Sequence, residues 1–344
     1  MGFFAQRRTR ERPRTQRESS PATAPLLEVV VEHRANVSNR AVLVRLRATS
    51  RDERFAFDPG AHVDVHLGRS LTRQYSLVDA GQPAGTLTIC VQREIDGRGG
   101  SARVHDDLRV GDRLHVSPPR NTFPLAREAS HSLLLAAGVG ITPLVSMAAA
   151  LAREGRSFEL HAYSTTPADL PLFEHLRSSP YESSVFTHFS GEGESFRATA
   201  PRSLGEPIAD GAIYACGPDG FVTLARERAI AAGWRADQFA TERFSSASPS
   251  SAVGGHAAFT VIASSTGQSM RVGSEELIAD VLERNGYETY RSCGQGICGS
   301  CITPVLAGIP DHRDHVQSAQ ARASNAQITV CCSRSLTPEL ELDV

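Results

Sequence analysis

The 344-residue chain contains no lysine; all 36 of its basic side chains are arginine. A Walker-type phosphate lysine, a Schiff-base lysine and a lysine nucleophile are therefore excluded. No apolar run approaches the roughly 18 residues that a membrane-spanning helix needs. Net charge is also small, −2, so the chain as a whole carries no nucleic-acid signal. The N-terminus lacks the apolar core of a secretory signal. Residues 1–25 instead carry Arg7, Arg8, Arg10, Arg12, Arg14 and Arg17 against Glu11 and Glu18, with almost nothing apolar after Phe4. Too little surface can be buried there to offset ordering entropy, so a disordered tail is expected in preference to a polyanion-binding arm or a transit-like segment. Seven cysteines without a secretory signal point to a reducing compartment, and a cytoplasmic location is expected.

The chain does have a cysteine array. Cys293, Cys298 and Cys301 form C-x4-C-x2-C, and Cys331-Cys332 follows near the C-terminus. This is the plant-type [2Fe–2S] spacing. A cluster needs thiolates converging from one short segment, with backbone N–H groups turned toward sulfur. Gly294, Gly296 and Gly299 let the backbone approach closely and adopt positive φ. Zinc usually takes two C-x2-C pairs, which one triplet and a distant cysteine fit poorly. Disulfides suit small secreted domains. By spacing alone, Cys331 and Cys332 are both open as fourth ligand.

Leu26 to Pro124 reads as short strands, Leu26–Val31, Val42–Ala48, Ala61–Leu67 and Leu87–Gln92, with turns at Asp58-Pro59-Gly60 and Asp79-Ala80-Gly81. No helical period appears before His105–Leu108, so a small antiparallel barrel is expected. Within it, Arg73 suits a phosphate, Tyr75 a flat heterocycle and Ser76 a reactive ring atom. Arg98-Gly99-Gly100-Ser101 is a Gly-rich turn before a short helix near His105, a setting that favours an anion.

A parallel α/β pattern follows. Ser132–Ala137 is an apolar strand, Gly138-Val139-Gly140 a tight turn, and a helix runs to Arg153 with Thr142 as expected N-cap and Pro143 at its first position. Strand, glycine turn and helix start make a pyrophosphate site, although a structural βα turn reads the same way. Further strands are expected at Phe158–Tyr163 and Ala212–Ala215, the latter leading into Cys216-Gly217-Pro218 and a helix from Phe221 to Ala232. Residues 245–257 are Ser/Ala/Gly-rich, a flexible linker. Beyond it, Phe259–Ser264 and Ser269–Val272 suit a hairpin, and Ser274 a cap for a helix through Leu282 ending at Asn285-Gly286.

These pieces, in this order, resemble the phthalate dioxygenase reductase branch of the ferredoxin–NADP reductase superfamily, which includes vanillate demethylase reductase subunits. The resemblance rests on Arg73–Ser76, Arg98–Ser101, Val104–Leu108, Val110-Gly111-Asp112, Pro119–Pro124, Cys216-Gly217-Pro218, Glu242-Arg243-Phe244, the cysteine array and Cys331-Cys332-Ser333-Arg334. It implies a multidomain fold: a flavin-binding antiparallel β-barrel (26–126), a parallel-sheet NAD(P)-binding α/β domain (127–244) and a β-grasp, α+β ferredoxin-type domain (258–344). It implies FMN held by Arg73, Gln74, Tyr75, Ser76, Val91, Arg98, Gly99, Gly100 and Ser101. Gly138, Gly140, Thr142, Pro143, Cys216, Gly217 and Pro218 would hold the dinucleotide, NADH in preference to NADPH. Ser76, Cys216 and Glu242 would stand at the reacting atoms; for Cys216 a structural core cysteine and for Glu242 a surface ion pair are the competing readings. Cys293, Cys298, Cys301 and Cys331 would be the cluster ligands, with Cys332 a packed neighbour. Pro310–Asp314 is read as loop hydrogen bonding. The implied activity is an NAD(P)H-dependent oxidoreductase in which hydride passes to FMN and single electrons to the cluster and then to a terminal oxygenase, of the Rieske non-haem iron type. No nucleic-acid or membrane partner is expected. Reduction of a P450 or carnitine-type oxygenase, or a non-catalytic redox sensor, are the alternatives.

Overall fold

The computed structural model describes residues 26–50, 54–68, 71–78, 85–95, 97, 99–244 and 257–344. The expected Arg-rich tail, residues 245–256 of the linker, the Asp79-Ala80-Gly81 turn and Arg98 lie outside these residues.

The first sheet contains β1 (Leu27–Asn36), β2 (Ala41–Ala48), β3 (His62–His66), β4 (Thr72–Ser76), β5 (Thr86–Gln92) and β6 (Arg113–Val116) in the order β4-β3-β6-β1-β2-β5. The pairings within it are antiparallel, and a bridge between Leu77 and Ile89 joins its two edges. Val29, Val44, Leu46, Val63, Val65 and Leu87 fill its interior. β1 runs past its expected end at Val31 because a bulge between Val31 and His33 breaks the two-residue alternation there. The short helix α1 (Gly100–Asp106) begins directly on the glycine turn, earlier than the expected position near His105. Gly99 in the left-handed region, φ 80°, starts it.

The second sheet is wholly parallel: β7 (His131–Ala137), α2 (Ile141–Arg153), β8 (Ser157–Ser164), α3 (Phe173–Arg177), β9 (Val185–Phe189), β10 (Gly211–Cys216), α4 (Asp219–Ala232) and β11 (Phe239–Glu242). Its strand order is β11-β10-β7-β8-β9. The chain leaves β7 toward β8 and later returns to β10 on the other side, so a crevice opens beyond the C-terminal ends of β7 and β10. α2 is apolar nearly all round because it packs on this sheet with one face and, with Ala41, Val78, Cys90 and Phe123, on the barrel with the other. Thr142 is not its N-cap. A 3₁₀ turn over Gly138–Gly140 feeds the helix, the cap position is Gly140, and the Thr142 hydroxyl donates to the Val139 carbonyl at 3.0 Å. Pro143 is accordingly the third helical residue.

The third unit holds β12 (Phe259–Ala263), β13 (Ser269–Val272), α5 (Ile278–Arg284), β14 (Ile302–Ala307), β15 (Pro310–Asp311), α6 (Ala319–Ser324), β16 (Gln327–Thr329), β17 (Arg334–Ser335) and β18 (Glu339–Leu342). Its main sheet runs β13-β12-β18-β14-β16, with α5 against its apolar face. The β12–β13 hairpin stands as expected. Ser274 does not cap α5; the cap position is Leu277, without a side-chain hydrogen bond. That turn is held from outside by buried Arg334, which donates to the carbonyls of Gly273 at 2.8 Å and Glu276 at 2.7 Å.

Candidate functional site

β4 delivers Arg73, Gln74, Tyr75 and Ser76 to the wall of a cavity of about 580 Å³. Of the other residues expected at the flavin, Val91 of β5 and Gly100 and Ser101 of α1 line it too; Gly99 does not, and Thr142 of α2, expected at the dinucleotide, joins it together with Val139 of the β7–α2 turn. The volume lies in the roughly 300–1,000 Å³ range of cofactor sites. At Gly100 a Cβ would fall 2.4 Å from Arg73 Cγ, so only glycine lets the arginine lie across the helix start. Burial raises the Tyr75 phenol well above its ordinary value and keeps the ring neutral. Arg40, Cys90, Gln92, Ile95, Phe244 and Gln295 also line the cavity. Apart from Phe244 and Gln295, which stand in quoted motifs, they carried no site signal, because they are ordinary residues recruited from distant segments.

At the crevice, the turn after β7 meets the end of β10. A Cβ on Gly140 would lie 2.2 Å from the Cys216 carbonyl oxygen. Cys216 is fully buried, and burial first, with the Glu242 carboxylate adding, pushes its thiol well up. It is a neutral packing group there, not a thiolate nucleophile. Gly217 follows, and Pro218 occupies the N-cap position of α4.

Glu242 sits beside Cys216 in the β10–β11 register. It is no surface ion pair: its side chain is 10% exposed, and Oε2 accepts from Ser76 Oγ at 2.9 Å across the two units. Burial raises its carboxyl to about 7, opposed by the Ser76 hydrogen bond. The structure therefore brings Ser76, Cys216 and Glu242 together. It adds His62, opposite Ser76 in the β3–β4 register, whose Nδ1 is 4.0 Å from Glu242 Oε1. His62 is 1% exposed, both ring nitrogens lack a hydrogen-bond partner, and burial followed by the Arg120 charge lowers it to about 4.

The cysteine loop adjoins this cleft. A small cavity of about 60 Å³ is bordered on one side by Arg73, Ser76 and Glu242, and on the other by Cys293, Gln295 and Ile297. Cys293, Cys298, Cys301 and Cys331 are buried, whereas Cys332 is half-buried. Gly294, Gly296 and Gly299 all have positive φ, 62°, 71° and 73°. At Gly296 a Cβ would meet Cys332 Sγ at 2.5 Å and Asp314 Cα at 2.9 Å, so the loop closes only on glycine. The Gln295 N–H donates to Cys293 Sγ at 3.3 Å.

The sulfurs lie close enough to shift one another: Cys293, then burial, raises the Cys298 thiol, Cys331, then burial, raises Cys301, and Cys331 lowers Cys332. Four buried sulfur donors, three of them on one glycine-shaped loop, fit a [2Fe–2S] cluster. Among the described residues, no three His, Cys, Asp or Glu side chains are grouped around a single ion. Pro310–Asp314 supports the loop: Arg313 pairs with Asp311 at 2.6 Å, its N–H donates to Ser333 Oγ at 3.1 Å, and Asp314 Oδ2 accepts the Gln317 N–H at 2.8 Å.

Known proteins share these features. The 2Fe-2S iron-sulfur cluster binding domain family matches residues 261–336, and the oxidoreductase FAD-binding domain family matches residues 28–124. Vanillate O-demethylase oxidoreductase of Pseudomonas putida is 40% identical over 289 residues, which cover 84% of this chain and 90% of that protein. The structure of phthalate dioxygenase reductase, described as modular for electron transfer from pyridine nucleotides to [2Fe–2S], is similar at 31% identity. Its TM-score is 0.72, over 93% of this chain and 98% of that one. An intact type IV self-sufficient cytochrome P450 monooxygenase matches 93% of this chain with 41% of its own, at 29% identity and a TM-score of 0.79. Among the described residues, no helix is long and apolar enough to cross a membrane.

Proposed function

The chain belongs to the family of vanillate O-demethylase oxidoreductases and phthalate dioxygenase reductase, and on that premise we propose that it carries electrons from NADH, through FMN and a [2Fe–2S] cluster, to a separate terminal oxygenase of the Rieske non-haem iron type. The observation that carries this reading is the meeting of the three units. Barrel residues Arg73 and Ser76, nucleotide-sheet residue Glu242 and cluster-loop residues Cys293 and Gln295 border one small space. When bound, flavin supplies the conversion of a two-electron hydride into the single electrons that an iron–sulfur cluster accepts.

The residues divide the work. Arg73, Gly99, Gly100 and Ser101 bind the flavin phosphate, and Tyr75 packs its ring plane. Gly138, Gly140, Thr142, Pro143, Gly217 and Pro218 keep the two turns close enough for the dinucleotide to lie across them. Cys216, a neutral thiol, forms an apolar wall beside the reacting carbon and helps exclude water. Glu242 holds a proton on its carboxylate near neutral pH, oriented by the Ser76 hydroxyl. Cys293, Cys298, Cys301 and Cys331 hold the cluster, and Cys332 packs beneath Gly296. The preference for NADH is supported at the end of β8. Residues 164–171 contain no arginine to meet a 2′-phosphate; Thr166 donates to Asp169, which also accepts from Asn39.

Anaerobic titration of the purified protein with NADH, and separately NADPH, tests the reading by visible absorption and EPR. Flavin bleaching followed by a rhombic [2Fe–2S] signal is expected, faster with NADH, and acid release of the flavin should yield FMN. No bleaching with either donor would sink it. The likeness to a P450-fused reductase supports a second reading, in which the acceptor is a P450. Reconstitution with each class of purified acceptor separates the two.

A further inference from the structure

The barrel grips the cysteine loop at both ends. Asp64 lies on β3, with its side chain 8% exposed. Its Oδ1 accepts from Ser292 Oγ at 2.5 Å, and its Oδ2 accepts from Arg120 Nη2 at 2.5 Å. The same Arg120 nitrogen reaches Ser300 Oγ at 3.3 Å. Ser292 immediately precedes Cys293, and Ser300 immediately precedes Cys301. One carboxylate–guanidinium pair thus ties down the residues next to the first and third cysteines. The pair is itself rigid, since Arg120 exchanges both backbone hydrogen bonds with His62 on β3, at 2.8 and 3.0 Å.

A surface ion pair contributes little, but a buried carboxylate with two fixed donors has one geometry and little freedom to leave it. Electron transfer falls steeply with separation, so a contact that locates the loop against the flavin side acts on rate. We infer that Asp64 and Arg120 are positioning residues: they clamp the cluster loop to the barrel and so set the rate at which electrons cross from flavin to cluster. The inference rests on the electron path proposed above. Asp64 stands opposite Gln74 in the β3–β4 register, and Arg120 meets His62 through backbone hydrogen bonds, but the side-chain hydrogen bonds of the pair run to each other and to the cysteine loop, so the larger effect falls on the second step.

The test is anaerobic stopped-flow reduction of the holoprotein by NADH, following flavin and cluster absorption separately. In Asp64→Asn and Arg120→Gln, flavin bleaching should keep its wild-type rate. Cluster reduction should slow by about 10- to 100-fold, the loss that an ångström-scale misplacement of reacting groups produces. Iron content and the EPR line shape should be unchanged, and Arg120→Lys should recover part of the rate. Ser292→Ala cuts the clamp from the loop side and serves if a barrel variant does not fold. Wild-type cluster kinetics in these variants would overturn the inference. Loss of iron from all of them would too, since the contact would then serve cluster retention. Failure of the wild type to bleach with either nicotinamide would instead bring down the electron path, and the clamp's role with it.

Discussion

The cysteine cradle and the cleft beside it are built in opposite ways. Three of the cradle's four expected ligands lie within nine residues, shaped by three positive-φ glycines. The cleft has no such local nucleus. Ser76 and Glu242 are 166 positions apart, on strands of different sheets, and Cys216 arrives on a third strand. The cradle's geometry is mostly a property of one loop, whereas the cleft's is a property of how two sheets pack. A local change should therefore disable the cradle and spare the cleft, while the cleft should respond to changes in packing and in buried charge.

The largest expected effect tests the first half of that contrast. Cys298→Ser should abolish electron transfer to external acceptors and the cluster EPR signal while NADH still bleaches the flavin. Loss of bleaching in a folded variant would mean that the two regions do not work in series.

Gly140→Ala attacks the cleft through packing. Its Cβ would lie 2.2 Å from the Cys216 carbonyl, a backbone atom that cannot swing away. Overpacking should cost about 1–3 kcal/mol, seen as a lower denaturation midpoint. Flavin reduction by NADH should slow, while the EPR spectrum of the dithionite-reduced cluster stays as it is. An altered cluster spectrum would break the separation of the two regions.

Glu242→Gln attacks the cleft through charge. The carboxyl stands near 7 in the fold against an ordinary value of 4.5, so its stabilising contribution is fully present below pH 4.5 and is lost as pH rises through 7. The whole swing is about 3 kcal/mol. His62, near 4 instead of 6.5, has the opposite sign: its contribution is present above pH 6.5 and is lost as pH falls through 4. The glutamine variant should lose the decline on the alkaline side and keep the acid one, as read by denaturant unfolding from pH 4 to 8. A wild-type-like decline from pH 5 to 7.5 in the variant would show that another group causes it.

The smallest effect sharpens the cradle. Cys332→Ser should keep the cluster with near wild-type EPR, whereas Cys331→Ser should lose it. The reverse result would move the fourth ligand by one residue.

The strands of the barrel and of the parallel sheet were readable wherever an apolar pattern was continuous, as at β2, β5, β7 and β8. Strand β1 is longer than its alternating pattern, because a bulge interrupts the alternation. Helix α1 starts before the sequence shows a helical period, because its start depends on a glycine φ that carries none. Thr142 and Ser274 looked like caps by type, but the chain's path put Gly140 and Leu277 in those positions. Glu242 could be an ion pair or a buried acid until packing removed water from it. His62, Asp64 and the outer cavity residues had no signal, because their neighbours lie in other segments.

Residue order alone was enough for the cluster spacing, the sequence of three modules and the absence of lysine chemistry, since each depends on residue type and short-range spacing. It was also enough for the residues that shape the two glycine turns. Only the folded chain decided that Glu242 is buried against Ser76, that Cys331 is buried while Cys332 is half-buried, and that Asp64 and Arg120 hold both ends of the loop. The physical reason is that burial and ion pairing depend on which distant atoms displace water. Sheet packing settles that, and no local pattern encodes it.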